Sequence, residues 1–189
     1  PFGGWVAWSK VPRESLAALQ LNLPVKAIQR GFESLKSVPG RFEIMRSRRR
    51  VSAVVDYAHS PDALERLLLA VREFKPRKII TVFGCGGERD RSKRPIMGEI
   101  ACRLSDYTVV TSDNPRSESP SAIISEVEAG MSIRKDGYKK LADRREAIKF
   151  AVSMAEKGDI VVVAGKGHES VQILKNRTIA FSDRETVKE

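Results

Sequence analysis

The chain has 189 residues, 41% of them hydrophobic and 31% charged, with a formal net charge of +10 and a pI of about 9.9. That composition belongs to a globular protein of one domain, or of one domain plus a fragment, and no apolar run is long enough to span a bilayer. The positive balance suits nucleic acid or phosphorylated substrates.

The opening segment, PFGGWVAWSK, follows no helix or strand period. It lacks the basic head, apolar centre and small-residue cleavage site of a signal peptide, so a cytoplasmic protein is expected. From Pro12 the pattern turns helical. Leu16, Leu19 and Leu21 precede a break at Pro24, and Val25, Ile28, Phe32 and Leu35 then recur on one helical face. Val38-Pro39-Gly40 reads as a linker and a domain boundary. Residues 41–45 alternate like a strand. The basic run Arg46-Ser47-Arg48-Arg49-Arg50 then reads as an exposed hairpin turn, with few aromatics nearby to stack bases. Residues 51–57 form an almost wholly apolar run containing Asp56, which predicts a buried strand with a polar end.

Ser60-Pro61-Asp62 starts a helix, with Ser60 as N-cap and an apolar face of Leu64, Leu67, Leu68 and Val71. The cycle then repeats. A strand over 79–83 precedes the glycine loop Gly84-Cys85-Gly86-Gly87 and a helix through Ile96, Met97, Ile100 and Ala101. A strand over 107–111 precedes Ser112-Asp113-Asn114-Pro115-Arg116, and Ser119-Pro120-Ser121 begins a helix through Ile123, Ile124 and Val127. A short strand is predicted at Gly137-Tyr138, a helix over 143–156 and a strand over 160–164. Gly165-Lys166-Gly167-His168-Glu169 comes next, then a hairpin of residues 171–174 and 178–181. Ser182-Asp183 caps a last helix that the chain end cuts short. Apolar strands alternating with helices predict an α/β fold: a Rossmann-like, mostly parallel, doubly wound sheet with helices on both faces. There is no internal repeat.

In such a sheet the strand ends share one edge, where ligands bind. The loops collected there are Asp56-Tyr57-Ala58-His59, Gly84–Asp90, Asp113–Arg116 and Gly165–Glu169. Each alone is weak. GxGxxG fails because Arg89 takes the last glycine's place, and no GxxxxGK followed by Ser or Thr occurs anywhere. Cys85 and Cys102, even with His59 and His168, lack the spacing of a zinc site. Cys85 reads either as a reactive thiol or as a small residue beside a tight turn. Lys93 and Arg94 either face phosphate or cap a helix entrance.

Together and in this order the loops are specific. The motifs DYAHSPDAL, FGCGGERDRSKRPIMG, TSDNPRSESP and VAGKGHE resemble the C-terminal domain of the Mur ligases over roughly residues 20–189. The resemblance implies that residues 39–189 are that domain. It implies that 1–38 are the end of a central ATP-binding domain, although 1–11 do not resemble it. The branch matched is the one that adds the third residue to the cell-wall peptide. Its implied reaction uses ATP and Mg²⁺ to phosphorylate the D-glutamate carboxylate of UDP-MurNAc-L-Ala-D-Glu, and the amine of meso-diaminopimelate then attacks the acyl phosphate. The phosphate loop, the catalytic centre and most magnesium ligands would lie in the central domain. No catalytic or metal-ligating residue is therefore assigned within this chain. The implied partners are the remaining N-terminal and central ligase domains, in a monomer, with no nucleic acid and no membrane.

By motif matching, the resemblance gives Arg41, Asp56, Tyr57 and His59 to the nucleotide. It gives Arg89, Asp113, Asn114, Arg116, Gly165 and Glu169 to the amino acid. The chemistry agrees with that division. Arginines and an amide suit the distal carboxylate of diaminopimelate, and Glu169 suits its ammonium. Lysine lacks that carboxylate, so an arginine there favours diaminopimelate. The plainer reading of Arg116 is a loop residue paired with Glu118. His59 reads equally as a helix-entry hydrogen bonder. Family members usually carry Tyr where Val171 stands, a departure expected either to loosen the packing behind Glu169 or to mark a divergent lineage, without touching the ligands. Two other readings stay open on sequence alone: a related ligase taking lysine or a folate-type glutamate, and a basic Rossmann-like module for dinucleotide or nucleic acid.

Overall fold

A computed structural model describes residues 20–21, 23–34, 38–46, 51–131 and 137–189, and the chain divides into two units, Pro1–Val38 and Pro39–Glu189. In the first unit, helix α1 (Val25–Ser34) follows Pro24, whose carbonyl accepts the amides of Ala27 and Ile28. The helix expected from Leu16 and Leu19, the opening segment, and residues 47–50 of the basic turn lie outside the described residues.

The second unit is built on one mixed sheet. Its strands are β1 (Glu43–Arg46), β2 (Ser52–Asp56), β3 (Ile79–Phe83), β4 (Tyr107–Val110), β5 (Tyr138–Lys140) and β6 (Ile160–Ala164), in the spatial order β1-β2-β6-β3-β4-β5. β1 runs antiparallel to β2, and every other pairing is parallel. Helices α2 (Pro61–Arg72), α3 (Lys93–Leu104), α4 (Pro120–Glu128), α5 (Arg144–Met154) and α6 (Asp183–Lys188) complete it, with a separate hairpin of β7 (Val171–Leu174) and β8 (Arg177–Ala180).

Strand alternation sorts the core into two layers. Val54 and Val162 face one cluster with Leu64, Leu68, Met97, Ala101, Ile123 and Val127 from α2, α3 and α4. Val55, Val161 and Val163 face the other, with Ala147, Ile148 and Ala151 from α5. Strands buried on both faces need unbroken valine and isoleucine, which is why β2, β3 and β6 read as apolar runs. From β2 the chain steps outward through β3, β4 and β5 with its crossover helices on one face. It returns to β6 by α5 on the other face, as the right-handed rule for parallel crossovers requires once the direction reverses. β6 therefore lies between β2 and β3, and the reversal opens a crevice at the carboxyl edge.

The predicted elements stand within two residues of those observed. β1 begins late because Phe42 is left-handed (φ 47°) and its amide turns to bond Asp56 Oδ2 at 2.7 Å. Ile96 is not on the core face: it is 46% exposed, while Arg94, Met97 and Ala101 carry the buried stripe of α3 at helical spacing. Val171 pairs with Ala180 in the hairpin and is 38% exposed, so its short side chain removes surface rather than core. No described helix is long and apolar enough to cross a membrane.

At the amino end of α5, Arg144 is wholly buried against Asp183, with Nε–Oδ1 2.7 Å and Nη2–Oδ2 2.8 Å. The same guanidinium donates to Ser112 O at 3.2 Å and Ala164 O at 3.0 Å. It thus ties together the residues that follow β4 and end β6. Arg144→Met strands a buried carboxylate and two carbonyls, and is expected to cost about 3–5 kcal/mol. Urea unfolding measures this, and adding Asp183→Leu should recover part of the loss; a single-variant loss below about 1 kcal/mol would show that the pair does not hold the edge.

Candidate functional site

Three loops meet at the carboxyl edge: 84–90 after β3, 111–118 after β4 and 165–169 after β6. Close backbone contact joins the first two. A Cβ on Gly87 would sit 2.0 Å from Pro115 O, so only glycine fits there. Gly87 N donates to Asn114 O at 2.9 Å, and Arg116 Nη1 returns a bond to Gly87 O at 2.7 Å. Glu88 accepts from the amide of Ser117 at 3.1 Å, and its own amide donates to Glu118. Below them Arg94 is fully buried, holding Glu118 Oε2 and Glu126 Oε2 at 2.8 Å each and Gly86 O at 3.2 Å. Two sequence readings are corrected by this. Arg94 neither faces phosphate nor caps a helix entrance. Glu118 pairs with Arg94 and not with Arg116, because Arg94 comes up from beneath the loop with its charge already desolvated.

The third loop adds the polar centre. Lys166 is fully buried, and its Nζ donates to Asn114 Oδ1 at 2.9 Å and Glu169 Oε2 at 2.7 Å. Asn114 Nδ2 also donates to Glu169 Oε2, at 2.9 Å. Strand β7 closes the back: Ile173 N donates to Asn114 Oδ1 at 3.0 Å, Arg116 N donates to Ile173 O at 3.1 Å, and Gln172 Nε2 donates to Asp113 O at 2.7 Å. Gly165 is left-handed (φ 120°), and a Cβ there would meet Asp113 Oδ2 at 2.7 Å. Burial pushes the Glu169 carboxyl up, but hydrogen bonds from Lys166 and Asn114 outweigh it and hold the group below its ordinary range.

The expected amino-acid residues Asp113, Asn114, Arg116, Gly165 and Glu169 thus come together. Arg89 stands at the rim. It is exposed and bonds its neighbour's carbonyl, Glu88 O, at 3.2 Å. A Cβ on Gly86 would lie 3.1 Å from Arg116 Nη1 and 3.7 Å from Arg89 Cγ, so both arginines flank this glycine.

A second cluster lies beside the first, at the end of β2. Arg41 Cζ sits 4.6 Å over the Tyr57 ring, and Tyr57 packs against His59 at 4.7 Å and His168 at 5.3 Å. His59 Nδ1 bonds Tyr57 O at 2.8 Å. Both oxygens of Asp56 accept backbone amides, from Phe42 at 2.7 Å and Ala58 at 2.8 Å, so any hydroxyl ligand shares an already anchored carboxylate. Loop 165–169 serves both clusters, sending Lys166 and Glu169 to one and His168 to the other. Sequence reasoning assigned no role to Lys166, His168 or Gln172. The signal for Lys166 was present, a lysine between two glycines directly after a buried strand.

Comparison with known proteins decides the family. Residues 40–167 match the profile described as "Mur ligase, glutamate ligase domain". The chain belongs to the Mur ligase family. The matched span holds β1 to β6 and every loop of the edge except its last two residues. Among curated Mur ligases it is similar to the UDP-N-acetylmuramoyl-L-alanyl-D-glutamate--2,6-diaminopimelate ligase of Alkaliphilus oremlandii, 50% identical over 169 residues, covering 89% of this chain and 35% of the relative. Its likeness to the Clostridium tetani protein of the same name is 50% over 176 residues, covering 92% and 36%. The chain therefore spans about a third of the length of these relatives. A solved ligase of that name superposes with a TM-score of 0.75 at 39% identity, covering 92% of this chain and 35% of its own. A UDP-N-acetylmuramate-alanine ligase from Thermotoga maritima superposes with a TM-score of 0.65 at 17% identity, covering 92% and 34%, which is likeness of fold alone.

Within this Mur ligase domain Cys85 is no nucleophile. It is buried, and desolvation pushes its thiol up to about 12. Glu118 is held down at about 2, below its ordinary 4.5, first by the Arg94 hydrogen bond and then by the Glu88 amide. A carboxylate depressed by folding stabilises the protein above its unfolded value, and that contribution fades as pH falls through the folded value. Glu118→Gln is therefore expected to be less stable than the parent at neutral pH and to approach it as pH falls from 4.5 towards 2. Urea midpoints across that range measure the effect; a constant gap between the two proteins would count against the Arg94 clasp.

Proposed function

We propose that the chain works as the C-terminal domain of an ATP-dependent ligase that joins meso-diaminopimelate to UDP-MurNAc-L-Ala-D-Glu in peptidoglycan synthesis. Residues 39–189 are that domain, and residues 1–38 end the central domain that precedes it. The observation that carries this reading is the convergence of three groups at one strand edge. Arg116 Nη1 lies 3.3 Å from Asn114 O, and the Asn114 amide lies 2.9 Å from Glu169. A guanidinium and an amide beside a carboxylate make a receptor for a zwitterionic amino-acid head. The arginines suit the carboxylate through charge-assisted bonds, and the outer edge of Glu169 suits the ammonium.

The neighbouring cluster gives the nucleotide its place. Arg41 offers charge to phosphates, Asp56 hydrogen-bond acceptors to ribose hydroxyls, and Tyr57 and His59 ring faces to the base. The chain's part in the reaction is then positioning: it holds the amine donor and one end of ATP while the central domain supplies the phosphate loop. Among the described residues no three His, Cys, Asp or Glu side chains converge as a metal site. By the family resemblance, the magnesium would be held mostly from the central domain.

Arg116→Ala in the full-length ligase is expected to raise KM for diaminopimelate about 10- to 100-fold, the worth of a lost charged hydrogen bond, with KM for ATP unchanged. Unchanged use of diaminopimelate would refute the pocket. The 189-residue chain by itself contains no GxxxxGK[ST] loop, so it is expected to show no ATP-driven ligation in a coupled phosphate-release assay; turnover by this chain alone would overturn the division of labour.

A further inference from the structure

We propose that Lys166 is a positioning residue that presets Asn114 and Glu169 for the amino-acid head group, an inference that rests on the reading of this cleft as the amino-acid pocket. Its place in the structure is unusual. A lysine is almost never fully buried without a partner, and this one has no exposed surface and two partners, both proposed to touch substrate.

The first consequence concerns Asn114. Its Oδ1 faces two groups that can only donate, Lys166 Nζ at 2.9 Å and Ile173 N at 3.0 Å. Those donors fix the orientation of the amide, since a flipped side chain would set N–H against N–H. Nδ2 is then committed to the Glu169 side, where one hydrogen reaches Oε2 at 2.9 Å. The second hydrogen is left for an incoming acceptor such as a carboxylate.

The second consequence concerns Glu169. Its Oε2 accepts from both Lys166 and Asn114, while Oε1 makes no hydrogen bond among the described residues and the side chain is 27% exposed. One oxygen is anchored inward and the other is presented outward to take an ammonium. The resident ammonium also offsets part of the carboxylate's charge. A ligand bearing only a positive end therefore gains less from Glu169 than it would from an unpaired carboxylate. A ligand bearing both signs gains from Arg116 and the Asn114 amide as well. Lys166 therefore tunes the pocket towards zwitterions and away from simple amines.

The test is a double-mutant cycle in the full-length ligase, read as KM for diaminopimelate, KM for ATP and the ratio of diaminopimelate to lysine use. Lys166→Met is expected to raise KM for diaminopimelate about tenfold or more, to leave KM for ATP unchanged, and to narrow the preference over lysine. In a Glu169→Gln background the same change should add less than it does in the parent, because one of its two partners, the Glu169 carboxylate, is already gone while Asn114 remains. Effects that multiply fully in the double variant, or an unchanged diaminopimelate KM in Lys166→Met, would overturn the proposal. Lys166→Gln keeps a donor to Asn114 without the charge and is expected to fall between the parent and Lys166→Met. If Lys166→Met does not fold, Lys166→Gln decides: a raised diaminopimelate KM supports the assignment and a parental one overturns it. Arg116→Ala separates the two levels of inference. If it leaves diaminopimelate use intact, the pocket reading fails; if it abolishes use while the Lys166 variants behave as the parent, only the role of Lys166 fails.

Discussion

One buried ion pair sets the geometry of the carboxyl edge. Arg144 and Asp183 meet without solvent, and the same guanidinium holds the carbonyls of Ser112 and Ala164. Those carbonyls stand where β4 and β6 give way to the loops bearing Asn114 and Glu169. A parallel sheet fixes its strands by hydrogen bonds along their length, but these stop at the strand ends. Beyond them something else must hold the chain. A planar guanidinium has donors enough to bond a carboxylate on one side and two carbonyls on the other. Burial alone would weaken the charge on Arg144, yet Asp183 more than restores it and the group is held above its ordinary value.

A second buried arginine repeats the device on the neighbouring pair of loops. Arg94 joins the glycine loop to Glu118 and to Glu126 of α4. Lys166 does so a third time, between loop 165–169 and Asn114. The edge is thus assembled from three buried cations, each bonded to at least one oxygen, from a backbone carbonyl, a carboxylate or the Asn114 amide, that another segment supplies. At the same edge Arg41 and Arg89 are exposed and Arg116 is partly so. At this edge the positive charge therefore divides by depth, the three buried cations holding the loops and the exposed arginines facing outward.

Periodicity made the fold legible. Valine and isoleucine runs marked β2, β3, β4 and β6, and Ser60, Ser119, Asp143 and Ser182 marked the helix starts. Motif order made the edge legible as well, because parallel strands deliver their loops to one side. What stayed hidden was which charge meets which. Arg144 and Asp183 are 39 residues apart and Arg94 and Glu118 are 24 apart, so no local pattern pairs them. Ile96 shows a related limit: an apolar residue one position off the buried stripe looks the same in sequence as one on it. Asp56 shows the limit for ligands, since its role in anchoring Phe42 and Ala58 follows from a turn that only coordinates reveal.

Arg116 sits in the left-handed region at φ 54°, and so does Glu88 across from it, also at φ 54°. Neither is glycine, so each conformation must be imposed by its surroundings. The surroundings here are each other's loops and the backbone of Ile173. The side chain of Arg116 is therefore aimed by a backbone that its own sequence would not choose. Replacing the arginine alone would leave the loop pointing the new residue along the same direction, with the same strain and the same neighbours. Reshaping this edge is a problem of grafting loops 84–90 and 111–118 together with β7, as one interlocked unit.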